Sequence, residues 1–208
     1  MTGIPGAAIL VFLAYLIGAL PFGLLIGRLA GGVDLREHGS GRTGATNALR
    51  TVGIVGAVLT FLLDLGKGVV AVLLVSWWYD AGPPGSPPWV AAAAGMAAVA
   101  GHIRSVFIGF RGGRGVATFT GAMLATAPWA VAILVPVVLL IVWRWRFVSL
   151  GSLIGTLLAP VVTAGLALLG QATWQGVVLA AVGATLVTIA HRDNIARLRA
   201  GTERRLGQ

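Results

Sequence analysis

Between Gly101 and Thr118 two apolar runs meet around one histidine, three arginines and a cluster of glycines. Arg111, Gly112, Gly113, Arg114 and Gly115 stand immediately before the second run. Glycines at such a junction let consecutive backbone N–H groups converge on one point, and a helix starting there adds partial positive charge. Arginine contributes a planar fork that grips phosphate through two bonds at once. One reading is therefore an anion pocket at a membrane surface. The other is a flexible basic turn touching lipid head groups, and this stretch alone does not choose between them.

Two further segments carry comparable chemistry. Gly39 to Arg50 holds glycines, Ser40, Thr46, Asn47 and two arginines, which suits a second oxyanion-binding turn with a helix beginning near Thr43 to Thr46. After the last apolar run, His191 to Arg205 is polar and basic. On a continuing helix His191 and Asn194 would share a face one turn apart, and Gly201 would cap its end. A basic juxtamembrane helix on anionic lipid fits the same residues.

These loops are set in an apolar chain of 208 residues, 57% hydrophobic and 10% charged, with mean hydropathy +0.93. Soluble domains carry roughly 25% charge, so the chain reads as a polytopic all-α membrane protein, one domain over residues 1–208. Of the 15 basic residues, all but Lys67 are arginine, and the net charge is +9. The charges fall in short clusters between apolar runs, which points to positive-inside topology and away from nucleic acid. With no cysteine there is no thiolate nucleophile or Cys-based metal site. Six scattered acidic residues offer no carboxylate cluster for a metal, so no cofactor and no metal are expected.

Apolar runs lie near 4–27, 52–78, 89–109, 116–143, 148–169 and 174–190. Basic clusters follow the first and third runs, flank the fourth on both sides and follow the last. The 80–88 and 170–173 connections have none, and 82–88 reads as a tight external loop. The N-terminus shows no cleaved-signal pattern, and Arg28 after the first run puts it outside. The fourth run then breaks the alternation unless it enters and returns on one side. Pro128 sits near its middle, so a helix to about Ala127 and a second back to Trp143 are expected; the alternative is one long kinked span, which would put Arg144 and Arg146 outside. That gives seven helical segments, two of them a re-entrant hairpin, with the C-terminus cytoplasmic. Inside the second run, Asp64 and Lys67 are three apart and share a face. They read either as functional intramembrane charges or as a structural ion pair.

Together the three loops resemble the motifs of the bacterial acyl-phosphate:glycerol-3-phosphate acyltransferase family. Gly39–Arg50 is similar to its first motif, Gly101–Thr118 to its second and His191–Glu203 to its third, and the likeness extends over essentially the whole chain. Arg114 departs from it, because the family usually has lysine there. The resemblance implies transfer of a fatty acyl group from acyl phosphate to glycerol 3-phosphate, giving lysophosphatidic acid for phospholipid biosynthesis at the bacterial cell membrane, with the site on the cytoplasmic side. It further implies activity-bearing roles for Ser40, Arg50, His191 and Asn194, and for a serine after Arg146, either Ser149 or Ser152. Gly112, Gly113 and Gly115 are implied to bind glycerol phosphate, beside Arg111, Arg114, Thr46 and Asn47, while Glu203 is implied to be structural. The partners implied are the two substrates, membrane lipid and the enzyme that supplies acyl phosphate.

The residues suit that chemistry. Acyl phosphate is a mixed anhydride with a good leaving group, so positioning and charge stabilisation can supply much of the rate without a covalent intermediate. Ser40 is read as a hydrogen-bond donor, and His191 or a substrate phosphate oxygen as the proton acceptor. An acyl-CoA-type pattern, aspartate five positions after histidine, is missing, since those positions hold Thr43, Phe107 and Ala196. The competing reading is a transporter of phosphate or a small organic anion, but the charges gather at one face rather than at mid-membrane.

Overall fold

The computed structural model describes residues 4–80 and 89–207. The 82–88 loop lies outside the described residues. Among the described residues all regular structure is helical: α1 (Ile4–Ala19), α2 (Phe22–Gly31), α3 (Ala45–Asp80), α4 (Trp89–Ile103), a 3-10 turn (Val106–Ile108), α5 (Val116–Thr126), α6 (Pro128–Trp145), α7 (Val148–Leu168), α8 (Trp174–Ala190) and α9 (Arg192–Arg199).

Two helices exceed the seven expected. The first apolar run is broken at Leu20–Pro21 into α1 and α2, because Pro21 has no N–H to continue the ladder. At the break the Leu20 carbonyl oxygen accepts the Phe22 N–H at 3.1 Å and a second hydrogen bond from Lys67 Nζ at 2.9 Å. Lys67 also pairs with Asp64 at 2.8 Å, and both side chains are buried. A buried pair of this kind contributes little net stability, but losing one partner costs about 3–5 kcal/mol. The second extra helix is α9. The tail does not continue α8: the axis turns by 63° at His191. Gly201 follows the cap residue Ala200 at φ 69, and the Gly201 and Thr202 N–H groups close the end on Leu198 and Arg197 carbonyls.

Five stretches are long and apolar enough to cross a membrane: Pro5–Gly31, Ala45–Trp78, Trp89–Ile108, Pro128–Trp145 and Val148–Leu168. The α8–α9 pair passes the same test only as a bent unit. Helix α5 has 11 residues, so at ~1.5 Å per residue it reaches about half of a ~30 Å hydrocarbon core. Its break from α6 falls at Ala127 (φ −147, ψ 65), the residue before Pro128, where proline disfavours helical backbone.

Small residues bring the helices that carry the site together. A Cβ on Gly68 of α3 would strike the Thr118 carbonyl oxygen, and one on Gly121 of α5 would strike that of Leu65, so these backbones touch. Thr118 Oγ1 donates to the Asp64 carbonyl oxygen at 2.9 Å across the same contact. Val72, Val99, Phe119, Met123 and Leu179 fill the core between α3, α4, α5 and α8. Helix α6 is held differently. Trp129, Leu140 and Trp143 face outward, and it packs mainly on α7, where Gly151 and Gly155 admit Val138 and Val142.

Candidate active site

A cavity of about 550 Å³ opens where the three glycine- and arginine-bearing segments meet. Its polar end is lined by Ser40, Arg42 and Arg50 from the first segment, Arg114 and Gly115 from the second, and His191, Asn194, Arg197, Glu203 and Arg204 from the third. Its other end is an apolar slot between α5, α6 and α7, walled by residues such as Met123, Leu134, Val138 and Ala159. Thr46, Ser149 and Ser152 line it as well.

Asn47 organises the first loop. Its Nδ2 donates to the carbonyl oxygens of Leu35, His38 and Arg42 at 2.7, 3.0 and 2.8 Å, and its Oδ1 accepts the Ser40 N–H at 2.9 Å. Asn47 is buried and its amide is spent on the loop. It shapes the presentation of Ser40 rather than offering free groups to a ligand. Gly39, at φ 58, lies so close to Asn47 Oδ1 that a side chain would collide with it. Arg42 reaches Asp193 at 3.5 Å and ties this loop to α9.

The second loop differs from the expectation of converging glycine N–H groups. Gly112 donates its N–H to the Ile103 carbonyl oxygen at 3.2 Å, and Gly113 to that of His102 at 3.1 Å. Neither glycine lines the cavity, and Arg111 is exposed outside it. A Cβ on Gly112 would strike the His102 carbonyl oxygen, and one on Gly113 the imidazole Nε2. These glycines permit close packing on His102, whose Nδ1 lies 3.5 Å from Asp64 Oδ1. Asp64, Lys67 and His102 therefore form one buried cluster behind the loop. The anion-facing groups come next in the chain. Gly115, at φ 87, caps α5, whose first intrahelical N–H is that of Phe119. The first-turn N–H groups beside Arg114 thus point toward the cavity end. Burial, then the Arg42 and Arg197 charges, bring the Arg114 guanidinium down to about 10, and it stays cationic at neutral pH. Its Nε is buried with no protein partner among the described residues.

At the third segment the bend places His191 beyond the end of α8. Its Nδ1 lies 2.8 Å from the Val187 carbonyl oxygen, which can only accept, so Nδ1 carries the proton. Burial is the main cause that lowers the imidazole to about 4; Arg114 and Arg42 add to it, and the Val187 bond opposes it. His191 is neutral at pH 7, with Nε2 as a hydrogen-bond acceptor. Glu203 gathers three donors: Asn194 Nδ2 at 2.6 Å, Ser149 Oγ at 2.8 Å and Arg197 Nε at 2.7 Å. Burial works to raise its carboxyl, and these bonds outweigh it and lower it. Asn194 Oδ1 is left buried without a partner among the described residues. Of the two serines after Arg146, Ser149 is the one bonded to Glu203.

Four residues of this site were not singled out from the sequence: Arg42, His102, Arg197 and Arg204. Arg197 has a signal, since it follows Asn194 by three positions on a helix. His102 has none, because its partner Asp64 lies 38 positions away on another helix.

A helical membrane bundle with a cationic cavity opening into an apolar slot fits the class of integral membrane proteins that handle molecules with a phosphate and an apolar chain. Residues 8–201 match the family model described as glycerol-3-phosphate acyltransferase. The chain belongs to that family, and so to the acyltransferases of phospholipid biosynthesis. It is 43% identical over 206 residues to glycerol-3-phosphate acyltransferase 3 of Dehalococcoides mccartyi, covering 96% of this chain and 95% of that one. It is 47% identical over 195 residues to the glycerol-3-phosphate acyltransferase of a Synechococcus species, covering 93% and 90%. Crystal structures of PlsY (YgiH), an integral membrane glycerol 3-phosphate acyltransferase, share the fold. Its glycerol 3-phosphate form has TM-score 0.85 and 39% identity, covering 97% of this chain and 96% of that one. Its lysophosphatidic acid form has TM-score 0.84 and 38% identity, with the same coverage.

Proposed function

We propose that this protein transfers a fatty acyl group from acyl phosphate to a hydroxyl of glycerol 3-phosphate, releasing lysophosphatidic acid and inorganic phosphate. The observation that carries the reading is the cavity itself. Arginines from all three segments surround its polar end, enough for two phosphates, and that end runs directly into an apolar slot suited to an acyl chain.

In this reading the acyl phosphate lies with its tail between α5, α6 and α7 and its phosphate among Arg50, Ser40 and neighbouring cations. Glycerol phosphate sits nearer Arg114 and the start of α5. The glycerol oxygen forms a bond to the acyl carbonyl carbon, and the bond from that carbon to the phosphate oxygen breaks. Cations at the cavity end balance the charge that builds on carbonyl and phosphate oxygens. With its imidazole near 4, His191 is a weak base and acts by accepting a hydrogen bond through Nε2. The hydroxyl proton passes to the departing phosphate, which is more basic. Glu203 holds Asn194 and Ser149 in place, and Asn194 Oδ1 is free to accept a bond from a substrate hydroxyl.

The re-entrant reading of α5 and α6 belongs to the same proposal. Gly115 before α5 and Ser149 after α6 line one cavity, which supports a segment that leaves and returns on one side, the cytoplasmic side of the bacterial plasma membrane. The test is to offer acyl phosphate, acyl-CoA and acylated carrier protein separately to the purified protein with glycerol 3-phosphate. Turnover is expected with acyl phosphate alone, and equal rates with acyl-CoA overturn the proposal.

A further inference from the structure

Arg146 stands at the corner between α6 and α7, outside all three motif segments, in the left-handed conformation at φ 62. It is joined to the far end of the chain. The Leu206 N–H donates to the Arg146 carbonyl oxygen at 2.6 Å, and Arg146 Nε and Nη2 donate to the Leu206 carbonyl oxygen at 3.1 and 2.8 Å. The Arg205 guanidinium lies 5.4 Å from the centre of the Phe147 ring. Ser149 bonds Glu203 at 2.8 Å. As the tail advances the corner retreats in step: Glu203 on Ser149, Arg205 on Phe147, Leu206 on Arg146. The tail is a registered strap laid antiparallel across the corner.

We propose that Arg146 is a positioning residue for the acyl transfer: it clasps the strap so that Arg204 is held in the cavity wall. The inference rests on the proposed function. The strap is pinned at its start, where the Gly201 and Thr202 N–H groups close on α9. Arg146 supplies the second pin. Arg204 lies between the two pins and makes no hydrogen bond or ion pair to another described residue, so its place in the wall depends on the backbone on either side. Arg204 lies two residues beyond the Thr202 pin, so an unclasped tail lets its backbone move by up to ~7 Å, enough to carry the guanidinium out of the wall. Nothing local in the sequence announces the clasp, because the two residues are 60 positions apart.

The test exploits the left-handed corner. Arg146→Gly keeps that backbone, which glycine adopts freely, and removes only the guanidinium bonds. In purified protein of unchanged melting temperature, KM for the phosphorylated substrates should rise roughly three- to tenfold with kcat within about twofold, as for lost ground-state attraction. Deleting residues 205–208 should give the same change, and combining both should add nothing. In this cysteine-free chain, oxidising an Arg146→Cys, Leu206→Cys pair should restore the parent KM, while the reduced form stays impaired. Parent-like KM in Arg146→Gly, or no gain on oxidation, would overturn the clasp. A parent protein inactive with acyl phosphate would overturn the proposed reaction instead. The clasp is then read from a spin label on Leu206→Cys, whose mobility should rise in the Arg146→Gly background and would refute the clasp by staying unchanged.

Discussion

Gly113 is enclosed by His102 on two sides: its N–H donates to the His102 carbonyl oxygen at 3.1 Å, and the imidazole Nε2 fills the space a Cβ would need. This relationship converts a glycine that reads as a phosphate cradle into a packing surface.

Gly113→Ala should therefore lower melting temperature and activity together, by about 1–3 kcal/mol in stability, as overpacking does. The effect should be smaller in a His102→Ala background, where the imidazole is gone. Gly112→Ala should gain no such relief, because its Cβ meets the His102 carbonyl oxygen. Thermal unfolding of the four combinations in detergent measures this. A Gly113→Ala protein of parent stability with only KM for glycerol 3-phosphate raised would restore the cradle reading.

Glu203→Ala should lower kcat roughly ten- to hundredfold, since buried donors on Asn194 and Ser149 lose their acceptor, at about 1–3 kcal/mol. Ser149→Ala removes one of the three bonds and should cost less. Steady-state kinetics on both variants gives the ratio, and equal losses would show that Ser149 acts on the substrate itself.

His191 sets a pH dependence. Its folded value of about 4 lies below the ordinary 6.5, so the unfolded chain binds the proton first as pH falls. The stability it contributes is complete above about pH 6.5 and declines from there toward pH 4. The melting temperature of the parent should drop more between pH 7 and pH 5 than that of His191→Gln. Identical slopes would mean that His191 titrates normally.

Topology is open to labelling, because the chain has no native cysteine. Cysteines at Arg144 and Arg199 should react with an impermeant reagent from one side and a cysteine at Gln171 from the other. Arg144 reacting with Gln171 would make α5 and α6 a single crossing.

Much of this was legible in the sequence because charge is scarce. In a chain this apolar, Ser40, Arg114, His191 and Asn194 stand out from their surroundings, and the proline at 128 marks the break that separates α5 from α6. The Asp64–Lys67 pair was visible from its spacing on one helix. What spacing conceals is where a donor is spent. Asn47 and Gly112 look available for a ligand until the carbonyl oxygens that occupy them are located, and those belong to residues brought near by folding. The same holds for His102, and for the tail, whose 63° bend at His191 leaves no mark in local propensity.

Helix α6 forms one wall of the slot while Trp129, Leu140 and Trp143 on its other side face outward. In the proposed reaction a single helix then separates the acyl tail from the surrounding hydrocarbon. The donor need never enter water: it arrives and departs by diffusion within the leaflet, and its effective concentration is a number per unit area. Glycerol 3-phosphate, by contrast, is counted per unit volume. Diluting the donor with inert detergent at fixed total amount should slow the enzyme, while the same dilution leaves the response to glycerol 3-phosphate unchanged, so the two substrates obey different rules of concentration within one cavity.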